Sequence, residues 1–402
     1  MRRSTDRILV SHAGNLPRPP ALDRLIDGGR TREAAARAEY HAQLPAAVVE
    51  IVDRQIAVGV DIVNDGEYAK AGSYGGYLHD RVSGFSTVPA EQLSPPKRSG
   101  TAERDRRQFP GFYASGLWFS GSGGPFRPGF ATPGEVRQPS VRETRACTGP
   151  ITYTGQAAVA EDVANLKAAI SGKPVEGYIA ALGPLSLGAG IPNLHYPTEE
   201  AYMQAVADAC HLEYQAITDA GLILQVDEPE FCTTWSFYPD WSIDDLRRYL
   251  AAAVELINDA LRGLPQEQIR FHTCWGSGHR PHTNDIELQH IADLLVRIDA
   301  QQFSIEAGNV RHMHEYQVWE QIKLPEGKML MPGVISHATD LVEHPELVAE
   351  RLVQYARIVG RENVQAGTDC GMGSRVGHEE VVWAKLDAMA QGAALASSRL
   401  WP

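Results

Sequence analysis

One short stretch of the sequence combines residue types that commonly bind metal ions. In FHTCWGSGHRPH, residues 271–282, His272 and Cys274 are two positions apart, and His279 and His282 follow a few residues later. Alternation along a strand would place His272 and Cys274 on the same face. Imidazole and thiolate both bind zinc, but two ligands do not complete a tetrahedral site. The stretch alone is therefore compatible with a metal site or with a histidine-rich loop.

Two more residues of metal-binding type stand at the ends of other apolar runs. Glu306 lies near the end of QQFSIEAG, and Cys370 lies near the end of NVQAGTDCG. An imidazole, two thiolates and a carboxylate can surround Zn²⁺ tetrahedrally, and sulfur ligands favour zinc over magnesium or calcium. The opposing interpretation is that a lone cysteine at a strand end is a small buried apolar residue. We adopt that interpretation for Cys147, Cys210 and Cys232.

The residue types also indicate which chemistry such a zinc ion would support. With two thiolates and a carboxylate as ligands, the ion is a poor generator of hydroxide. It is suited to holding an incoming thiol as a nucleophilic thiolate. We expect the substrate sulfur to displace Glu306, the hardest ligand. His279 and His282 lie in a loop rich in Gly, Pro and Arg, and we expect loop histidines or outer hydrogen-bond donors there rather than ligands.

These residues are far apart in the chain, so the fold must bring them together. Short runs with strand character alternate with amphipathic helical stretches along most of the sequence. Eight runs are predicted as strands, namely 7–14, 61–67, 176–184, 222–229, 269–276, 301–308, 328–336 and 363–371. Eightfold alternation predicts an α/β fold, a (β/α)₈ TIM barrel, forming one catalytic domain over residues 1–402.

Residues 86–150 interrupt this alternation and are rich in Gly, Pro, Ser and Arg. The segment is too long for an ordinary connection, so we predict an insertion after the second strand. It would cap the barrel or form a subunit contact in a homo-oligomer. ITYTG at 151–155 is predicted as a strand that closes it. The basic residues at 97–107 are interleaved with acids, which favours a solvated face over an anion site.

In a (β/α)₈ barrel the active site lies at the carboxyl ends of the strands. Besides the four residues above, the predicted ends carry His12, Glu67, Asp227, Glu228, His337 and Asp369. Random placement would distribute such residues over both ends of the barrel, so their coincidence indicates one site. Individually, NDGE and QVDEP could instead form a turn or a helix cap.

Composition limits the classes of partner. The formal net charge is −13, which disfavours nucleic acid and anionic membranes. The chain has five cysteines in no regular framework, which is typical of a reducing compartment. The sequence shows neither a signal peptide nor a membrane-spanning apolar run. We therefore predict a cytoplasmic enzyme without nucleic-acid or membrane partners.

Several motifs resemble those of the cobalamin-independent methionine synthase family, specifically its C-terminal catalytic barrel. They are HTC at 272–274, FSIEAG around Glu306, TDCG at 369–371, QVDEP at 225–229 and NDGE at 64–67. The resemblance covers almost the whole chain outside the insertion. It implies that the zinc ligands are His272, Cys274, Glu306 and Cys370.

The resemblance also implies roles for other residues at the predicted strand ends. Glu67 and Asp227 match acidic positions that bind the amino group of homocysteine. His337, in PGVISHATD, matches a candidate proton donor to the departing pterin, and with Glu306 it is a predicted catalytic residue. Ser186 ends GPLS, which resembles a segment bordering the folate pocket. His12 lies in SHAGNLPRP, where the family has a Gly-Ser-Phe-Pro type of turn, and we include it among the predicted substrate-binding residues.

The resulting prediction is a zinc-dependent thiol alkyltransferase. It would transfer a methyl group to a homocysteine-like thiol from an alkyl donor such as a methylated folate. One alternative keeps the thiol chemistry but adds the thiol to an epoxide, as in related single-barrel coenzyme M transferases. Alternatives of other classes are a zinc hydrolase, which the thiolate-rich set and the lack of an HExxH motif disfavour, and a non-catalytic zinc- or thiol-binding barrel.

Overall fold

The computed structural model describes residues 1–25, 34–70, 76–93, 98, 102–115, 143–276, 278, 280–373 and 376–402. Its strands are β1 (Ile62–Val63), β2 (Val82–Pro89), β3 (Glu143–Tyr153), β4 (Glu176–Leu182), β5 (Ile223–Asp227), β6 (Ile269–Thr273), β7 (Gln302–Ile305), β8 (Met329–Ile335) and β9 (Gly367–Thr368). Seven of them form a curled parallel sheet in the order β1-β4-β5-β6-β7-β8-β9. The side chains of β4 to β8 are almost all buried, as expected for strands covered on both faces.

The segment predicted as the first strand lies between the two edges of this sheet. Val10 forms a parallel bridge with Ala366, next to β9. On the other side, the backbone N–H groups of Asp61 and Ile62 donate to the carbonyl of Val10 at 2.9 and 3.2 Å. The Asp61 carboxylate also accepts the N–H of Val10 at 2.9 Å. The segment therefore occupies the eighth position and closes the predicted barrel, although it forms a single bridge rather than a regular strand.

Helices surround the sheet. They are α1 (Pro20–Asp23), α2 (Ala34–Ala57), α3 (Glu103–Gln108), α4 (Pro110–Ala114), α5 (Gln156–Ile170), α6 (Pro184–Gly188), α7 (Glu199–Asp219), α8 (Glu230–Phe237), α9 (Ile243–Leu261), α10 (Ala292–Leu295), α11 (Val318–Gln321), α12 (Pro345–Val359) and α13 (Glu379–Leu400). Short 3₁₀ turns lie at Leu78–Asp80, Ala90–Gln92, Gln266–Gln268, Leu288–His290, Met313–Gln317 and Arg361–Asn363. Among the described helices, none is long and apolar enough to cross a membrane.

Local sequence explains where the main helices begin and end. Thr198 caps α7 through its side chain, and Ser242 with Asp245 forms a capping box at the start of α9. Helix α12 has Pro345 in its first turn and stops before Gly360, whose φ of 90° few other residues adopt. Helices α7 and α12 are two of the helical stretches that alternate with the predicted strands.

A polar layer fills the barrel below its carboxyl end. Arg270 of β6 is fully buried, and its Nε donates to Gln302 at 2.6 Å. Its Nη1 donates to Ser11 and to Gln225, both at 3.1 Å. Gln225 in turn donates to Asp227 at 2.7 Å. Because strand side chains alternate, Arg270 and His272 share a face, and this layer supports the strand ends from below.

The predicted insertion begins within β2 and ends within β3. These two strands pair antiparallel in a separate sheet, and β3 extends to Tyr153, within the predicted closing strand. Between them, α3 lies against α8. The Arg104 side chain donates to the backbone carbonyls of Trp235, Tyr238 and Trp241 at 2.9 to 3.0 Å. Part of the insertion therefore contacts the segments that follow the barrel strands. Residues 116–142 lie outside the described residues.

Candidate metal centre

The ends of four neighbouring strands carry the predicted metal-binding and catalytic side chains. His272 lies in β6 and Cys274 follows it, while Glu306 comes directly after β7. His337 follows β8, and Asp369 and Cys370 follow β9. Parallel strands end at the same rim of a barrel, so residues separated by up to about 100 positions in the sequence meet there.

Three of the four predicted ligands form one compact group. A ring nitrogen of His272 and the Sγ atoms of Cys274 and Cys370 lie within 4.8 Å of one another. The Nδ1 atom of His272 lies 2.9 Å from the Ser304 hydroxyl on the adjacent strand. Assigning the proton of the neutral ring to Nδ1 leaves a lone pair on Nε2, which is buried and has no hydrogen-bond partner among the described residues. A nitrogen with a free lone pair beside two sulfurs fits a zinc ion.

The electrostatics of this group favour a thiolate. A hydrogen bond from Cys274, assisted by His272 and His337, holds the pKa of the Cys370 thiol well below its usual range. The same hydrogen bond, together with burial, raises the pKa of Cys274. Burial alone would lower the pKa of His272, but Cys370 and Asp227 outweigh it, so the pKa of His272 is raised. These neighbours therefore favour the thiolate form of Cys370, which is the form that binds a metal ion.

The fourth predicted ligand lies in a second, adjacent group. The carboxylate of Glu306 accepts a hydrogen bond from the Trp275 N–H at 2.8 Å and one from the Asn309 side chain at 2.9 Å. One of its oxygens, a ring nitrogen of His337 and an oxygen of Asp369 lie within 4.8 Å of one another. The negative charge of Glu306 still raises the pKa of Cys274, so the two groups interact. The structure thus brings together three predicted ligands and places Glu306 beside His337.

His337 and Asp369 complete this second group. Both ring nitrogens of His337 are buried without a hydrogen-bond partner among the described residues, so either can bind a ligand or carry a proton. The Oδ1 atom of Asp369 accepts the N–H groups of Ala307 and Gly308 at 2.8 and 2.6 Å. Burial raises the pKa of Asp369 to about 6. Asp369 was predicted only as a residue at this rim, yet it fixes the backbone that follows Glu306.

Buried acids and one buried lysine line the neighbouring strand ends. Glu67 has a left-handed φ of 59° and follows Gly66, and its Oε2 lies 3.8 Å from the ammonium of Lys70. Asp227 is also buried, and burial raises its pKa to about 7. Among its charged neighbours, His272 lowers the pKa of Asp227 and Glu67 raises it. The acids therefore adjoin the candidate metal centre. Lys70 was missed in the sequence, where only its position three residues after Glu67 could have suggested it.

The other two predicted substrate-binding residues have protein partners. The His12 ring is fully buried, with Nε2 2.8 Å from Gln55 and Nδ1 3.1 Å from the Tyr178 hydroxyl. The Ser186 hydroxyl donates to Glu228, whose pKa burial raises to about 8. Direct contact of His12 or Ser186 with a substrate stays a prediction.

Of the two loop histidines, the structure describes His282. His282 has a φ of 56°, and its ring nitrogens lie 2.6 Å from Asp285 and 2.9 Å from the carbonyl of Gly278. Within the described part of the chain it belongs to neither potential metal-binding group. His279 lies outside the described residues.

Fold and site together define an α/β-barrel protein with a sulfur-rich candidate metal centre at the carboxyl ends of its strands. The family model for the cobalamin-independent synthase catalytic domain matches residues 137–395. Because this match covers more than half of the chain, the protein belongs to the cobalamin-independent synthase family.

Individual relatives agree with this assignment. A 2-hydroxypropyl-CoM lyase of Xanthobacter autotrophicus is 25% identical over 252 residues, which are 56% of this chain and 62% of the relative. A 5-methyltetrahydropteroyltriglutamate–homocysteine methyltransferase of Shewanella oneidensis is 22% identical over 91% of this chain and 40% of its own length. The chain therefore spans less than two thirds of either relative.

Solved structures show the same fold. A B12-independent methionine synthase from Shewanella sp. W3-18-1, in complex with selenomethionine, superposes with a TM-score of 0.70 at 21% identity, covering 98% of this chain and 99% of that one. A putative vitamin-B12 independent methionine synthase from Listeria monocytogenes gives a TM-score of 0.63 at 17% identity, covering 98% and 99%. At these identities the likeness establishes the architecture alone.

Proposed function

We propose that this protein is a zinc-dependent thiol alkyltransferase that methylates a homocysteine-like thiol to give methionine. The observation that carries the proposal is the group of His272, Cys274 and Cys370, whose potential ligand atoms lie within 4.8 Å of one another. The His272 Nε2 atom is buried and has no hydrogen-bond partner among the described residues. Membership of the cobalamin-independent synthase family and the methyltransferase among the relatives support the same activity.

In the proposed centre, His272, Cys274 and Cys370 would hold the ion, and Glu306 is the fourth candidate ligand. A zinc ion bound there would supply the chemistry of a Lewis acid that keeps a substrate thiol deprotonated at neutral pH. Ser304, 2.9 Å from the His272 Nδ1 atom, would hold the ring in the required orientation. Cys274 is buried and Cys370 is partly exposed, so the proposed centre can be reached from one side. The low pKa of Cys370 reduces the cost of deprotonating the centre.

The acids of the neighbouring strand ends would bind the amino group of the thiol substrate. Glu67 and Asp227 are buried carboxyl groups, and a substrate ammonium placed between them would favour their ionised forms. Lys70 lies 3.8 Å from Glu67, so it offsets part of the negative charge of the two acids. His337, with both ring nitrogens lacking protein partners in the described residues, is the residue proposed to deliver a proton to the leaving group.

A second candidate function is the addition of a thiol to an epoxide. The 2-hydroxypropyl-CoM lyase, which is 25% identical over 252 residues, favours it. The two functions share the proposed thiol-binding centre and differ in the electrophile, so the same protein preparation can test both.

The test is thiol consumption with methyltetrahydrofolate or an epoxide as the electrophile, using homocysteine and a sulfonate-bearing thiol as acceptors. We expect methionine from homocysteine and methyltetrahydrofolate, dependent on added zinc. Product formed only from the epoxide would support the second candidate instead. Absence of zinc-dependent thiol consumption with every pair would contradict both functions.

A pair of cysteine variants connects the activity to the proposed centre. Cys370→Ser should weaken zinc binding by more than about a hundredfold, since loss of an outer partner alone costs about 10- to 100-fold. Cys147→Ser is the matched control, because Cys147 lies in β3 and its Sγ contacts only the carbonyl of Gly149 at 3.4 Å among its recorded hydrogen bonds. Equal zinc content in the two variants would remove Cys370 from the ligand set.

A further inference from the structure

A buried ion network connects the insertion to the loop that follows the proposed metal ligands of β6. Asp105 of α3 is 1% exposed. Its carboxylate accepts the Arg280 guanidinium at 3.1 Å, the backbone N–H of His282 at 3.2 Å and the Asn284 side chain at 2.9 Å. The Thr283 hydroxyl also donates to it at 3.4 Å. One carboxylate of the insertion therefore accepts hydrogen bonds from four residues within 280–284, in the loop that follows β6.

Arg280 extends this network toward the candidate metal centre. Its Nη1 lies between Asp105 and Asp285, the latter at 3.0 Å. Its Nη2 donates to the carbonyl of Trp275 at 2.8 Å. Trp275 directly follows Cys274, and its own N–H donates to Glu306 at 2.8 Å. Two hydrogen bonds thus fix the peptide groups on both sides of Trp275, and both depend on groups that are buried.

The Trp275 side chain is fixed as well, so Trp275 cannot shift independently of this network. Its Nε1 donates to the carbonyl of Ile286 at 2.6 Å. Its ring stacks on His312 with 3.9 Å between centroids. His312 in turn lies 3.3 Å from Asp285, the second carboxylate that binds Arg280. Removing the charge of Asp105 would therefore change the position of Arg280 and, through it, the position of Trp275.

We propose that Asp105, supplied by the insertion, is a positioning residue for the candidate metal centre, acting through Arg280 on Trp275 and Glu306. This inference rests on the metal centre of the proposed function. It assigns a task to a residue outside positions 137–395, which the family model covers. Within the described residues, Asp105 forms no hydrogen bond with a proposed ligand. Its effect is therefore on the geometry of the centre and not on the reacting atoms.

Helix α3 has a second attachment that does not involve Asp105, which makes the inference testable. Arg104 attaches the same helix to α8 through three backbone carbonyls, and its guanidinium lies 3.4 Å above the Trp235 ring. Asp105→Asn keeps the shape of the side chain and should leave α3 in place. Arg107→Gln is the matched control, because Arg107 is exposed on the same helix and pairs with Asp240 at 2.8 Å.

The experiment is a chelator-competition titration of zinc, paired with the absorption spectrum of the cobalt(II)-loaded protein. For Asp105→Asn we expect zinc affinity about tenfold weaker, the lower end for loss of an outer partner, and a changed cobalt d–d spectrum. Arg107→Gln should match the wild type in both. Arg280→Lys is a second variant, since a single ammonium between the two carboxylates lacks the second nitrogen that reaches Trp275. It should weaken zinc binding to a similar degree.

The double variant Asp105→Asn with Arg280→Lys distinguishes positioning from general destabilisation. If Asp105 acts through Arg280, the double variant binds zinc about as weakly as Arg280→Lys alone. Wild-type affinity and an unchanged spectrum in Asp105→Asn would overturn the inference while leaving the metal centre intact. A wild-type protein that binds neither metal would contradict the proposed function, and this inference with it.

Discussion

Gly333 of β8 offers a way to disturb the candidate site without changing any polar residue. A Cβ atom at this position would lie 2.1 Å from the Asp369 Oδ1 atom and 2.8 Å from the Asp369 backbone nitrogen. Real Cβ atoms do not approach other atoms so closely, so Gly333→Ala must displace Asp369 or its strand. The displaced Oδ1 is the atom that accepts the N–H groups of Ala307 and Gly308.

The expected cost follows from these contacts. Overpacking of a buried site costs about 1–3 kcal/mol, and weakening one buried hydrogen bond to a charged group adds about 1 kcal/mol or more. We therefore expect Gly333→Ala to lower the free energy of unfolding by about 2–4 kcal/mol. Zinc affinity should fall as well, because Cys370 directly follows Asp369 in the chain.

Urea denaturation followed by circular dichroism measures the first effect, and chelator competition measures the second. Gly111→Ala in α4 is the control, because a Cβ atom there meets nothing within 4 Å. We expect the control to unfold at the wild-type urea concentration or slightly above it, because Gly→Ala at an unstrained helical position stabilises by about 0.4–1 kcal/mol. If Gly333→Ala also unfolds at that concentration and binds zinc normally, the close packing of β8 against Asp369 does not hold the site.

Two further predictions concern single residues near the barrel mouth. Ser304→Ala removes the group 2.9 Å from the His272 Nδ1 atom, so chelator competition should show zinc affinity about tenfold weaker, and unchanged affinity would mean that Ser304 does not orient the ring. Burial lowers the pKa of His12 to about 4, whereas a histidine in the unfolded chain has a pKa of about 6.5. The neutral ring therefore contributes stability that is present above pH 6.5 and is lost as the pH falls toward 4. Between pH 7 and 4.5 this loss is about 2 kcal/mol. Urea titrations at these two pH values should show that His12→Gln removes it. An identical pH dependence of stability in the variant and the wild type would contradict the lowered pKa of His12.

The sequence predicts the fold through its alternation of strands and helices, and the barrel is confirmed. The exact strands are less predictable at the closure of the barrel. Residues 7–14 form one bridge, because the Asp61 carboxylate takes the N–H of Val10 that a ladder would otherwise use. In the run 363–371 only Gly367–Thr368 form a regular strand, while Val364 and Ala366 form isolated bridges and the residues after Thr368 turn into the site.

Within the site, residue type and position at a strand end were enough to predict that His272, Cys274 and Cys370 lie together at one rim. The division of the rim side chains into two groups was not predictable, because spacing in the sequence does not show which of them lie side by side. The grouping of Glu306 with His337 and Asp369 depends on how the loop after β7 turns. The role of Asp105 depends on how a short helix of the insertion folds onto a loop 175 positions later. Both are products of tertiary packing.

We propose that a zinc ion at this barrel rim binds the substrate thiol directly. Zinc-edge X-ray absorption of the zinc-loaded protein, recorded with and without homocysteine, tests it most directly. We predict an additional sulfur neighbour at about 2.3 Å when homocysteine is added, with loss of an oxygen neighbour. A zinc shell that is identical with and without the thiol would contradict the account.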